Sequence, residues 1–133
     1  MRPVFADTFY FLALLNERDG AHQRALVASR TPGLSLVTTE FVLVELADAL
    51  CKPLHRSEVL VLWSVVEQDP AFTLVRADAG LLRRGRALYL ERPDKEWPLT
   101  DCTSFVVMTE LGVTEALTAD RHSEQAGFKT LLA

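Results

Sequence analysis

Four carboxylates stand where chemistry would need them. Asp7 follows a short apolar run at residues 3–6, and Asp120 follows another at 116–118. In a parallel sheet, ligands bind beyond the carboxyl ends of the strands, so adjacent placement of these two strands would put both side chains on one rim. Asp101 lies beside Thr100 at a helix start. Glu45 interrupts the apolar stretch formed by Phe41, Val42, Leu43 and Val44 before it and Leu46 and Ala47 after it. Its helical neighbours at three and four residues are Phe41, Val42, Asp48 and Ala49, which is no continuous acidic stripe, so a buried Glu45 needs something to neutralise it. Each acid also has a plainer reading. An Asp between strand and helix serves as an N-cap, Asp101 complements a helix macrodipole, and Glu45 reaches solvent at the helix edge. Together, four oxygen donors with no His or Cys among them suit one or two hard ions, Mg²⁺ or Mn²⁺. Such ions orient a water, lower its pKa and stabilise a leaving oxygen in attack on a phosphodiester.

The elements that must position these acids follow from periodicity and stop signals. Residues 3–6 read as a strand and 9–16 and 22–29 as helices, with Thr31, Pro32 and Gly33 closing the second. Residues 34–37 read as a strand, after which Thr38 and Thr39 cap a helix through Leu50, halted near Pro53. Ser57 caps a helix over 58–68, residues 72–75 read as a strand, and 78–90 as a helix broken by Arg92, Pro93 and Asp94. Thr100 caps a helix to Leu111, stopped by Gly112. A strand at 116–118, a helical turn ending at Gly127 and a strand at 129–132 complete the chain. Strands alternating with helices imply crossover connections, hence an α/β fold: a three-layer α/β/α sandwich on a mainly parallel sheet of four to five short strands.

Composition bounds the possibilities. At 133 residues the chain is one domain, 1–133, and 49% apolar against 24% charged residues is far from a disordered composition. Mean hydropathy is +0.13, which leaves apolar surface for a partner. Fourteen Lys and Arg against eighteen Asp and Glu give −4, which taken uniformly would repel nucleic acid and anionic membranes. Location alters that conclusion, because residues 76–95 carry six cations (Arg76, Arg83, Arg84, Arg86, Arg92, Lys95) against Asp78, Glu91 and Asp94. This stretch is either a solvated helix face or a basic rim for phosphates, with Trp97 to stack a base. Two divalent ions would offset the net charge. Cys51 and Cys102 allow no Cys-x-x-Cys site and at most one disulfide, so a reducing cytoplasm is expected. No export signal or membrane span is expected, because charges interrupt every apolar run. Phosphate-loop, Gly-x-Gly-x-x-Gly, His-Glu-x-x-His and Gly-x-Ser-x-Gly motifs are absent. His22, His55 and His122 are scattered and read as surface or helix-end residues.

At these residues the sequence resembles the PIN-domain family, and within it the VapC-type toxins of toxin–antitoxin pairs. The resemblance runs nearly end to end. Val4-Phe5-Ala6-Asp7-Thr8 is similar to the opening strand and first acid, and residues 39–45 to the helix carrying the family's glutamate. Trp97-Pro98-Leu99-Thr100-Asp101-Cys102-Thr103-Ser104-Phe105 resembles the third-acid motif, and Leu117-Thr118-Ala119-Asp120-Arg121-His122 through Gln125-Ala126-Gly127-Phe128 the closing one. The resemblance implies a ribonuclease in which Asp7, Glu45, Asp101 and Asp120 hold Mg²⁺ or Mn²⁺, with Thr8 accessory, and RNA is cut to leave a 5′-phosphate. It also implies a homodimer and a small antitoxin covering the acidic site. Ser123 departs from the Phe of many relatives, which should alter packing rather than chemistry. An RNA-processing nuclease and a catalytically silent binding module are the alternatives within the family. A phospho-acceptor receiver module fits poorly, since Asp7 is followed by Thr8 and Phe9 rather than by a second acid.

Overall fold

The structure, a computed structural model, describes residues 2–133; Met1, the first residue of the expected domain, lies outside the described residues. Five strands, β1 (Val4–Ala6), β2 (Leu36–Thr39), β3 (Phe72–Val75), β4 (Glu115–Leu117) and β5 (Lys129–Thr130), form one sheet in the order β3-β2-β1-β4-β5. Every neighbouring pair is parallel. Between them run α1 (Thr8–Leu15), α2 (His22–Ser29), α3 (Glu40–Ala49), α4 (Pro53–Gln68), α5 (Ala79–Glu91), α6 (Leu99–Leu111) and α7 (Arg121–Gln125). From β1 the chain steps outward to β2 and β3, then crosses back past β1 to β4 and β5. Right-handed crossovers in opposite directions put helices on both faces, as the α/β reading expects, and make the gap between β1 and β4 the topological switch point.

Parallel strands covered on both faces must be apolar throughout. Phe5, Ala6, Leu36, Val37, Ala116 and Leu117 are all buried, packed against Phe11 of α1, Leu43 and Leu46 of α3 and Val107 and Met108 of α6. A smaller cluster of Trp97, Cys102 and Phe105 joins the loop before α6 to Phe128.

Several boundaries differ from the sequence reading: β5 is confined to Lys129–Thr130 where a strand over 129–132 was expected, β4 is Glu115–Leu117 rather than 116–118, α1 begins at Thr8, and three further shifts have a local reason. Strand β2 is shifted to 36–39, because Thr38 and Thr39 are accommodated inside the sheet: buried Thr38 donates its hydroxyl to the Ala6 carbonyl at 2.8 Å. Thr39 still caps α3, its Oγ1 accepting from the Val42 N–H at 3.1 Å. Helix α4 starts at Pro53, not after Ser57, since proline is tolerated in a first turn that needs no N–H partner. Helix α6 begins at Leu99, with Thr100 inside it; the Thr100 carbonyl accepts from the Thr103 and Ser104 hydroxyls at 2.6 and 3.2 Å. Gly112 ends α6 at φ 69°, as expected of a C-terminal glycine.

Helices α5 and α6 cross closely at Gly85, where a Cβ would stand 2.5 Å from the Thr103 methyl. That contact fixes how α6, and with it Asp101, lies against the molecule. Both cysteines are free, Cys51 exposed and Cys102 buried. Among the described residues no helix is long and apolar enough to cross a membrane.

Candidate metal centre

Each of the four acids comes from a different part of the fold. Strand β1 hands the chain to α1 through Asp7, and β4 to α7 through Asp120, so both lie at the carboxyl ends of neighbouring strands at the switch point. The Ala6–Leu117 register sets Asp7 beside Thr118. Asp101 sits in the first turn of α6 and Glu45 in the second half of α3.

Asp7 has the extended backbone of an N-cap, yet its carboxylate makes no capping hydrogen bond. The capping role therefore does not explain it. Its pKa is pushed up from 3.8 to about 6, first by burial and further by the charges of Glu45 and Asp120, against hydrogen bonding from the Thr118 side chain and the Thr8 backbone. Asp101 is pushed up to about 7, again first by burial, then by Asp7, with Asp120 and Glu45 adding and the His122 hydrogen bond opposing. A helix N-terminus favours a carboxylate; at Asp101 burial and the other acids prevail. Asp7 and Asp101 thus both feel the charges of Glu45 and Asp120.

Asp120 does act as a cap, Oδ1 accepting the His122 N–H at 2.9 Å. His122 Nδ1 lies 3.1 Å from Asp101 Oδ2 and 3.4 Å from Asp120 Oδ1. Donor atoms of Asp101, Asp120 and His122 fall within 4.8 Å of one another. His122 is the residue that reading by sequence spacing missed as part of the constellation. Its signal was its place two residues after a strand-end acid, where the backbone turns it toward the same rim. His22 instead joins α1 to α2, its Nδ1 2.7 Å from the Ala13 carbonyl, and His55 stands by Glu58 at the surface.

Among the described residues no Lys or Arg pairs with any of the four acids. The contrast on α3 is direct: Glu40 accepts from Arg76 at 3.1 Å and from the Ala77 N–H at 2.8 Å, while half-buried Glu45 has no such partner. Thr8 Oγ1 is, among the described residues, the one buried side-chain polar atom without a hydrogen-bond partner. A set of mutually repelling oxygen donors beside an unpartnered hydroxyl fits a divalent cation of the Mg²⁺ or Mn²⁺ type.

The basic stretch is less available than its charges suggest. Arg84 forks onto Glu110 at 2.8 and 3.2 Å, and Arg92 onto Asp94 at 2.9 Å through both nitrogens. Arg83, Arg86 and Lys95 make no ion pair among the described residues. Trp97 is corrected as a base-stacking platform. Its ring is 5% exposed, edge-on to Phe105 at 5.2 Å, and its Nε1–H donates to Gln125 at 3.0 Å. Arg92 lies 5.1 Å above that ring. Ser123 is buried, and its carbonyl accepts the Phe128 N–H. An apolar cavity of about 500 Å³, lined by Val4, Val27, Leu34, Leu117 and Leu132 among others, contains none of the four acids.

Comparison with known proteins accords with this geometry. The chain is similar in structure to Mycobacterium tuberculosis VapC20, a toxin that cleaves the sarcin-ricin loop, with a TM-score of 0.81 and 24% identity over 94% of this chain and 95% of that one. It is also similar to chains in VapBC2 of Rickettsia felis bound to promoter DNA (TM-score 0.64, 10% identity, 96% of each chain). DNA-bound VapBC of Salmonella typhimurium gives a TM-score of 0.63 at 14% identity, over 98% and 97%. No curated protein sequence matches significantly. At these identities the structural likenesses speak for the fold. The family model described as the PIN domain matches residues 4–129, a span that takes in all four acids and strands β1 to β4: the chain belongs to the PIN domain family.

Proposed function

We propose that this chain is a Mg²⁺- or Mn²⁺-dependent endoribonuclease and the toxin of a VapBC-type pair. The observation that supports the nuclease reading is the convergence of Asp101 and Asp120 with His122 within 4.8 Å of one another at the switch point, with Asp7 and Glu45 near enough for their charges to be felt and, among the described residues, no Lys or Arg paired with any of the four. Asp7, Asp101 and Asp120 would hold the cation, with Glu45 completing the set; when bound, it supplies charge for the phosphodiester oxygens and lowers the pKa of a water. Burial of Asp101 limits competing water at its carboxylate. Thr8, its hydroxyl buried and unpaired next to Asp7, would be an accessory polar group near the cation. Hydrolysis adds water across the P–O3′ bond, giving a 5′-phosphate and a 3′-hydroxyl. Arg83, Arg86 and Lys95 are the cations left to meet the RNA backbone.

The toxin reading is supported by the likeness to VapC20 and to chains of VapBC assemblies. It is supported also by surplus apolar surface: Leu54, Leu60 and Val61 of α4 are 71%, 70% and 66% exposed, more than a lone domain needs. A second copy of this chain and a small antitoxin reaching the acidic rim are the partners proposed. The test is cleavage of RNA with Mg²⁺ or Mn²⁺, with and without chelator, by wild type and Asp7→Asn. Loss in both the chelated and the substituted samples is expected; activity surviving both would refute the metal mechanism. Growth arrest on expression, relieved by an antitoxin-like neighbouring reading frame, tests the toxin role.

A further inference from the structure

The four-acid site leaves one question open within itself, namely what holds Asp101 of α6 and Asp120 of the β4–α7 junction in register. We propose that His122 is the positioning residue that does so, an inference resting on the metal-site reading above. Its backbone N–H donates to Asp120 Oδ1 at 2.9 Å, and its ring Nδ1 reaches Asp101 Oδ2 at 3.1 Å. One residue thereby occupies one oxygen of each acid and leaves Asp101 Oδ1 and Asp120 Oδ2 for a cation. The ring is held in turn, since its side chain is only 18% exposed and the α7 turn that carries it is tied down by Phe128 N–H to Ser123 carbonyl at 3.0 Å.

Although Nδ1 lies close enough to both acids to be a ligand itself, the chemistry assigns it the other role. With a cation bound, Asp101 would be ionised and could only accept, so keeping the 3.1 Å contact there would require the hydrogen on Nδ1. A nitrogen bearing that hydrogen has no lone pair for a cation. Hydrogen-bond donors that orient ligating carboxylates commonly matter 10- to 100-fold, roughly, for metal affinity.

The test is Mn²⁺ binding at pH 8, followed by the EPR signal of free Mn²⁺, for wild type, His122→Asn, His122→Gln and His122→Ala. An Asn amide nitrogen falls near the position of Nδ1, and a Gln amide nitrogen near Nε2. The expected result is affinity within a few-fold of wild type for Asn and a loss of about 10- to 100-fold for Gln and Ala, with pulsed EPR of the Mn²⁺-loaded wild type showing no directly bound nitrogen. Wild-type affinity in His122→Ala, equal affinity of Asn and Gln variants, or a directly bound nitrogen lost on substitution would overturn the proposal. Asp101→Asn serves as the control. If it and wild type both fail to bind Mn²⁺, the metal-site reading falls together with this inference; if only wild type binds, the behaviour of the His122 variants judges positioning alone.

Discussion

Replacing Asp7 by Asn should make the metal-free protein more stable while destroying the proposed activity, and the size of the gain follows from burial. A folded-state pKa of about 6 against 3.8 for the free side chain corresponds to about 3 kcal/mol opposing the ionised form. Between those two values the folded chain keeps a proton that the unfolded chain has released, so stability falls as pH rises through that window and the full cost is present above it. Asn accepts hydrogen bonds as the carboxylate does but carries no charge. The variant should therefore exceed wild type by about 1 to 3 kcal/mol at pH 8 in chelator, or about 4 to 12 °C in Tm for a domain of this size. As pH falls below 3.8 the difference should fade toward zero, because wild-type Asp7 then becomes neutral in both states. Adding Mg²⁺ should raise wild type more than the variant and narrow the gap, since only a complete site gains binding energy. Thermal unfolding from pH 3.5 to 8, with and without Mg²⁺, measures all of this. A variant no more stable than wild type at pH 8 in chelator, or equally stabilised at both ends of the range, would refute the reasoning.

Other outcomes can be checked independently. Gly85→Ala should destabilise the protein by about 1 to 3 kcal/mol in urea unfolding, because its Cβ would meet Thr103 at 2.5 Å; a glycine-to-alanine gain typical of open helix positions would contradict the close crossing. Thr8→Val, by removing an unpaired buried hydroxyl, should leave stability unchanged or raise it by up to about 1 kcal/mol, while weakening Mn²⁺ binding or RNA cleavage. At subsaturating metal, the cleavage rate should climb as pH rises from 5.5 to 8, following the release of protons from Asp7 at about 6 and Asp101 at about 7, with a flat profile counting against their role. Arg83→Glu with Arg86→Glu should weaken RNA binding and flatten its salt dependence, measured by fluorescence anisotropy, whereas unchanged binding would move the RNA path elsewhere.

What was legible in the sequence was whatever depends on nearest neighbours and period. Asp7 and Asp120 declared themselves by following apolar runs, and Glu45 by interrupting one; the parallel sheet followed from alternation alone. What escaped was decided by partners distant in sequence. Trp97 looked available for bases because nothing in its neighbourhood shows that Gln125 accepts its Nε1–H and Phe105 takes its ring edge. Arg84 counted as free charge until α6 brought Glu110 to it. His122 looked isolated because its partner, Asp101, lies 21 residues away. The edges of β2 and α4 were misplaced by reading Thr38 and Pro53 through their usual tendencies, where the sheet and the first turn of a helix had use for them.

The sheet order carries a consequence for the timing of synthesis. Strand β1, made first, pairs on one side with β2 and on the other with β4, which leaves the ribosome only after residue 115 has been polymerised. Until then β1 is an open edge, Asp7 and Glu45 face no Asp120, and the cradle does not exist. A nascent chain therefore holds a half-built rim until β4 and α7 follow, and the four carboxylates can close only once both have emerged.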